Sequence, residues 1–458
     1  MTAVSDRYLA EFRAFSGNGA GSAPAWLKEI REGAIARFVE LGFPTMKQEE
    51  WRFTSVAPIA DAAFTLAQTP RSPLPAPAGI EHVCVSAGPR VVFVDGRYVA
   101  ELSTATGLPR GVHTGSLAAA LASGSSSVGD AVRAHLARHA PWQQSPFTAL
   151  NTAFLADGAF VHVSAGVALD RPLEVVYVAT GHGEGAGGTG GPRPTVSHPR
   201  TLIVLDSNAQ ATVVESYAAV SGGVYWTNAV TEAVIGNGAR LELFRVQREG
   251  PEGIQVATTH TRQERDSYLA LHLVSVGAAL ARHDINTVLD GAGAELILNG
   301  LYLLDGAQHT DHHTVIDHAQ PHCASHEFFN GVLAERAHGV FNGRIIVRPG
   351  AQRTDSKQTN NNLLLSTEAR ADSQPQLEIY ADDVKCTHGS TVGPIDQTQL
   401  YYLRSRGLSL EAARSILTYG FGAEILDRMR HPDVRARLDR LVRERLAAGA
   451  GTGVGAGG

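Results

Sequence analysis

Between residues 158 and 395, apolar and polar residues alternate in short runs separated by turns of Asp, Asn and Gly. The segments R-T-L-I-V-L-D-S-N-A-Q-A-T-V-V-E (200–215), E-A-V-I-G-N-G-A-R-L-E-L-F (232–244) and V-L-D-G-A-G-A-E-L-I-L-N-G (288–300) share this layout. Alternation of period two places every second side chain on one face of a strand. Ala211 and Ala239 stand 28 residues apart after their turns, and Glu295 lies about two such steps further on. The repetition predicts stacked coils of a β-solenoid in preference to a sandwich.

The flanks change to helical spacing. Leu27, Ile30, Ala34, Phe38 and Leu41 recur on one helix face, with Pro24 in the first turn and Gly42 at the end. A loop, G-F-P-T-M-K-Q-E-E-W-R-F-T (42–54), follows, and then a Pro- and Ala-rich stretch to about residue 80. Two strand-like runs come next, H-V-C-V-S (82–86) and R-V-V-F-V (90–94), before a helical pattern over 115–140. Near the C-terminus, Ser409 is placed to cap a helix carrying Leu410, Ala413, Ile416 and Leu417. A second helical pattern runs from Pro432 to Leu446. The expected organisation is a mainly helical domain over 1–145, a β core over 146–396, a helical domain over 397–448 and a disordered tail over 449–458.

Composition narrows the function classes. A net charge of −6 supplies no basic field for nucleic acid. Apolar runs such as V-V-Y-V (175–178) and L-I-L (296–298) are far too short to span a bilayer. The N-terminus lacks the basic-then-apolar layout of a signal peptide, and three scattered cysteines, Cys84, Cys323 and Cys386, make no disulfide framework. These features predict a cytoplasmic protein.

Three stretches are candidates for chemistry. Gly183, Gly185 and Gly188 have G-x-G-x-x-G spacing after a strand, yet G-T-G-G-P-R-P follows where a nucleotide site needs a helix. No Walker A sequence occurs, so ATP hydrolysis by a P-loop is not expected of this chain. The run H-T-D-H-H-T-V-I-D-H-A-Q-P-H-C-A-S-H-E (309–327) is the densest set of ligand types. On a strand, His309, Asp311 and His313 share one face and His312 takes the other, while His318, His322, Cys323 and His326 follow at wider spacings. The run reads either as a metal site or as a histidine ladder stacked between coils. In V-K-C-T-H-G (384–389), Cys386 and His388 share a strand face. Their backbones stand roughly 6–7 Å apart, loose for a catalytic dyad but suited to ligating one metal centre or two atoms of a cluster. A half-buried cysteine beside a surface histidine is the alternative.

The C-terminal block N-N-N-L-L-L-S-T-E-A-R-A-D-S-Q-P-Q-L-E-I-Y-A-D-D-V-K-C-T-H-G-S-T-V-G-P-I-D-Q-T-Q-L-Y-Y-L-R-S-R-G-L (360–408) resembles the SufD family, subunits of the SufB–SufC–SufD iron–sulfur cluster assembly complex. P-T-M-K-Q-E-E-W-R-F-T (44–54), F-T-A-L-N-T-A-F-L-A-D-G (147–158) and the histidine run support the resemblance in order along nearly the whole chain. SufB-like chains carry a cysteine where this one reads A-D-S-Q-P-Q-L-E-I, and a glutamate where it has Gly389.

The resemblance implies a mainly β fold: a central right-handed parallel β-helix between N- and C-terminal helical domains. It implies a non-enzymatic scaffold that pairs with SufB through the β-helix and binds SufC, an ABC-type ATPase, through helices near 409–430. A homodimer is open to the chain when alone, and neither nucleic acid nor a membrane is an expected partner. A transient iron–sulfur cluster is implied at the SufB interface, with no cofactor held tightly by the isolated chain. His388 matches the family histidine facing SufB's scaffold cysteine, and Cys386 matches the neighbouring cysteine. His309, Asp311 and His313 stay a secondary metal candidate, the ligand set of a rival metal-dependent enzyme on a β-solenoid.

Overall fold

The computed structural model of the chain describes residues 3–17, 23–67, 74–123, 126–181 and 193–452. The glycine motif at 183–188 and the last six residues of the expected tail lie outside the described residues.

Successive strands are dealt alternately to two sheets. One sheet stacks Gly158–Val163, Arg200–Leu205, Tyr225–Ile235 and Gly253–Gln263, then Leu280–Leu289, His309–His318, His338–Val347 and Arg370–Ile379. The other stacks Leu173–Ala179, Gln210–Ala219, Arg240–Arg248 and Tyr268–Ser275, then Glu295–Leu304, Ala324–Leu333, Thr354–Leu364 and Val384–Gly393. All pairings along these two stacks are parallel. The chain therefore winds as a β-solenoid, as the alternation predicts.

The coil length is less regular than the sequence suggests. From the Tyr225–Ile235 strand onward, the step between paired residues runs from 26, Ile254 beside Leu280, to 32, His338 beside Arg370. Ala211 pairs with Leu241, 30 residues on, and is not level with Ala239. Turns of unequal length cause the drift, because strands keep their register while turns absorb insertions.

Alternate residues of each strand fill the lumen. Val213, Leu243, Leu271 and Leu298 are partners in successive coils, and so are Leu241, Leu269 and Leu296. All seven are essentially inaccessible. Each such side chain is worth about 1.5–3 kcal/mol relative to exposure, so the stacked columns hold the coils in register.

Helices cover both outer faces. Phe43, Phe64 and Phe147 surround Trp226 over the first sheet, with Phe38 packed on Phe43. Ile425, Leu426, Met429, Val434, Leu438 and Val442 pack on Val246, Val274, Leu301 and Val332 of the second. Tyr225–Ile235 is consequently buried along its whole length, the expected state of a parallel strand covered on both faces.

Three local expectations need correction. H-V-C-V-S is not a strand: Pro77 opens a helix, Pro77–Val83, that buries Ile80 and Val83. R-V-V-F-V is a strand, but it joins the solenoid beside Leu173–Ala179, so the first 145 residues contribute strands to the core as well as helices. The last helix, Pro432–Thr452, runs four residues into the stretch expected to be a disordered tail.

Candidate functional site at the open end of the solenoid

The two ends of the solenoid differ. At the N-terminal end, Arg90–Val94 extends the second sheet and Val112–Ser116 pairs antiparallel with Gly158–Val163. At the other end, Arg370–Ile379 and Val384–Gly393 each have, among the described residues, a strand neighbour on one side only. Ten-residue edge strands present rows of unpaired N–H and C=O groups, a template for another chain. Large apolar side chains stand exposed nearby: Ile379, Tyr380 and Val392 here, and Tyr401 and Tyr402 on the adjoining helix Gln397–Ser405.

Cys386 and His388 lie on this last strand, paired with Ser356 and Gln358. Ser356 and Gln358 are buried while Asp355 and Lys357 are exposed, which fixes the inward side of the coil. Cys386 and His388 share that inward side at the mouth of the lumen, as the strand spacing predicts. Cys386 is half-buried against the core and His388 is exposed. Burial pushes the Cys386 thiol up, and Asp355 adds to the shift, so the resting group is a thiol. Ser390 donates a hydrogen bond to Ser373 Oγ at 2.9 Å, tying the two edge strands together beside them.

Beneath the mouth the leucine columns become polar. Leu298 is followed in register by Glu327, Gln358 and His388, and Leu296 by Ser325, Ser356 and Cys386. Gln358 Nε2 donates to Glu327 Oε2 at 2.6 Å, and Ser325 Oγ lies 2.8 Å from both Ser356 Oγ and His318 Nε2. Burial raises Glu327 to about 7, with the Gln358 bond opposing. Sequence reading missed Glu327 and Gln358. Their spacing from His388, close to one coil per step, was the available signal.

The histidine run wraps around one coil instead of converging. His312 and His318 point inward, His322 stands in a turn and His326 is exposed on the second sheet. His309, Asp311 and His313 do share the outer face, where Arg282 joins them. Arg282 Nη1 donates to Asp311 Oδ2 at 2.8 Å and lies 3.2 Å from His313 Nε2, and His313 Nε2 is 3.0 Å from Asp311 Oδ1. Burial alone would raise Asp311, yet His313 and Arg282 hold it well below the usual carboxylate range.

The 44–54 block is latched onto this network. Thr54 Oγ1 donates to Asp311 Oδ2 at 2.5 Å and sits 2.8 Å from His309 Nε2, while Trp51 stacks 3.7 Å from the Arg282 guanidinium. His309 continues to His338 at 3.1 Å, and His338 Nε2 to Asp372 Oδ2 at 2.7 Å on the edge strand. Among the described residues no group of three or more His, Cys, Asp or Glu is arranged to hold a metal ion. The 147–158 block is a second latch: Asn151 Nδ2 donates to the Pro199 and Asn228 carbonyls at 2.8 Å and Arg200 donates to Asn151 Oδ1 at 3.0 Å.

A parallel β-solenoid flanked by helices, with Cys386 and His388 on an edge strand at one end, is the class that the fold defines. The chain belongs to the SufBD family. Residues 187–421 match the SUF system FeS cluster assembly, SufBD core domain, and residues 2–175 match the SufBD protein N-terminal region. It is 30% identical over 433 residues to an iron–sulfur cluster assembly SufBD family protein of Synechocystis, covering 92% of each chain. It is 29% identical to the iron–sulfur cluster assembly protein SufD of Escherichia coli, over 91% of this chain and 92% of that one. The SufD of Bacillus subtilis is 28% identical over 65% of this chain and 66% of its own. The protein is thus an iron–sulfur cluster assembly component of the SufBD family. Among the described residues no helix is long and apolar enough to cross a membrane.

Proposed function

We propose that the chain is a non-enzymatic scaffold subunit that pairs with SufB through its open solenoid end and binds SufC through its C-terminal helices. The observation that carries this reading is the inward pair Cys386 and His388 on an edge strand that, among the described residues, has no partner on its outer side. Such a site is half of an interface. Its other half, a thiolate-bearing strand edge, has to come from another chain.

The cluster is cargo in this scheme. Neutral imidazole binds iron less tightly than thiolate, so a cluster held partly by His388 can leave for an acceptor. ATP hydrolysis falls to SufC, since this chain carries no Walker A motif. Helix Leu410–Leu426, capped by Ser409, exposes Leu410 and Ile416, apolar side chains suited to a protein partner. The complex is assigned to the cytoplasm. Co-expression with SufB and SufC, followed by anaerobic purification, tests the scheme: the three chains are expected to co-purify with iron and sulfide. Recovery of this chain without either partner would contradict it.

A further inference from the structure

We infer that Gln358, held in place by Glu327, is a positioning residue that orients the His388 imidazole for metal ligation. The inference rests on the proposed function, in which His388 contacts the cluster.

The inner column that ends on His388 is apolar through Val213, Leu243, Leu271 and Leu298, then turns to Glu327 and Gln358. Placing a carboxyl and an amide where leucine packs is costly unless their polar atoms are used. Gln358 is wholly buried and Glu327 nearly so. The amide is clamped from two sides. Its Nε2 is tied to Glu327 Oε2, and Gly343 faces it from the opposite sheet, where a Cβ would lie 2.2 Å from Nε2.

With one amide N–H given to the carboxylate, the strong acceptor left is the amide oxygen. Gln358 Oε1 is buried and has no hydrogen-bond partner among the described residues. The next residue in register, on the only neighbouring strand beyond it, is His388. A neutral imidazole has one N–H donor and one bare nitrogen. When the ring engages the cluster, Gln358 Oε1 accepts its N–H, which fixes the tautomer and turns the bare nitrogen toward the metal. Histidine ligands at metal sites are generally held by such a second hydrogen bond.

The test uses the complex with SufB and SufC, reconstituted anaerobically with iron and sulfide at pH 8, where Glu327 is mostly ionised. Two variants remove or displace the amide and leave the His388 residue itself unchanged. Gln358→Met removes the acceptor at similar volume, and Gly343→Ala crowds the amide from across the lumen. Each is expected to lower retained cluster about ten-fold, the low end for lost second hydrogen bonds at metal sites. Each is also expected to change the histidine nitrogen coupling seen by pulsed EPR of the reduced cluster, assigned by its loss in His388→Ala. Wild-type cluster content and coupling in either assembled variant overturn the inference. If His388→Ala itself keeps a full cluster, the proposed function fails first. If His388→Ala loses the cluster while the amide variants keep it, only the positioning role falls.

Discussion

Burial sets the protonation of many side chains in this protein, and that gives its stability a direction in pH. Burial lowers His198 to about 3, and His260, His309, His312 and His318 to about 4. Unfolded imidazoles take up a proton near 6.5, so between about 6.5 and 4 the unfolded state binds more protons and acid favours unfolding. Glu327 and Glu11, each raised to about 7, act in the opposite sense: their stabilisation is present at low pH and is lost as pH rises toward 7. Burial also lowers His135, His139 and His283 and raises Glu174 and Glu249, so the lowered histidines outnumber the raised carboxyls and the urea midpoint should fall steadily from pH 6.5 to 4. A midpoint that stays level or rises over that range would contradict this account. The buried pair Arg200–Glu232, 2.6 Å apart, gives a second prediction. Arg200→Ala strands the Glu232 carboxylate, and urea unfolding should show a loss of about 3–5 kcal/mol. The sequence revealed that His388 and Cys386 share a face, since alternation is local. It could not reveal Arg282 or Thr54 beside Asp311, because contacts between residues 29 and 257 positions apart leave no periodic trace.

At the scale of elements, the solenoid strands were legible because alternation persists in every coil. The coil step was not, because insertions collect in turns, and the equivalence drawn between Ala211 and Ala239 slipped by two residues for that reason. H-V-C-V-S shows the limit of short apolar runs: helix and strand are hard to separate over five residues, and Pro77 decided for the helix. The open end follows from elements alone, as two edge strands with apolar side chains around them. Lysines at Tyr380 and Val392 should block strand pairing while leaving the chain folded, since both side chains are exposed. The double variant Tyr380→Lys, Val392→Lys is expected to lose SufB in affinity co-purification with its thermal midpoint nearly unchanged. Retention of SufB at wild-type yield would place the interface elsewhere. A separate change, Ile416→Glu on helix Leu410–Leu426, should release SufC and leave SufB bound, as read by the composition of the purified complex.

Over the whole molecule, the sequence blocks that carry the family resemblance fall into two physical groups. The 44–54 and 147–158 blocks and the outward part of the histidine run fasten the N-terminal region to the outer face of the solenoid. The 360–408 block builds the open end, its inward Cys386 and His388, and the first C-terminal helix. The latches and the proposed site are thus separated along the chain, which allows the proposed site to be altered without unfolding the solenoid. The His388 side chain is exposed and has no hydrogen bond among the described residues, so its truncation should cost the fold little. The most direct measurement is iron and sulfide content of the anaerobically purified complex of SufB and SufC with His388→Ala. The account predicts an assembled complex of normal composition that holds no cluster. A full cluster in that complex would contradict it.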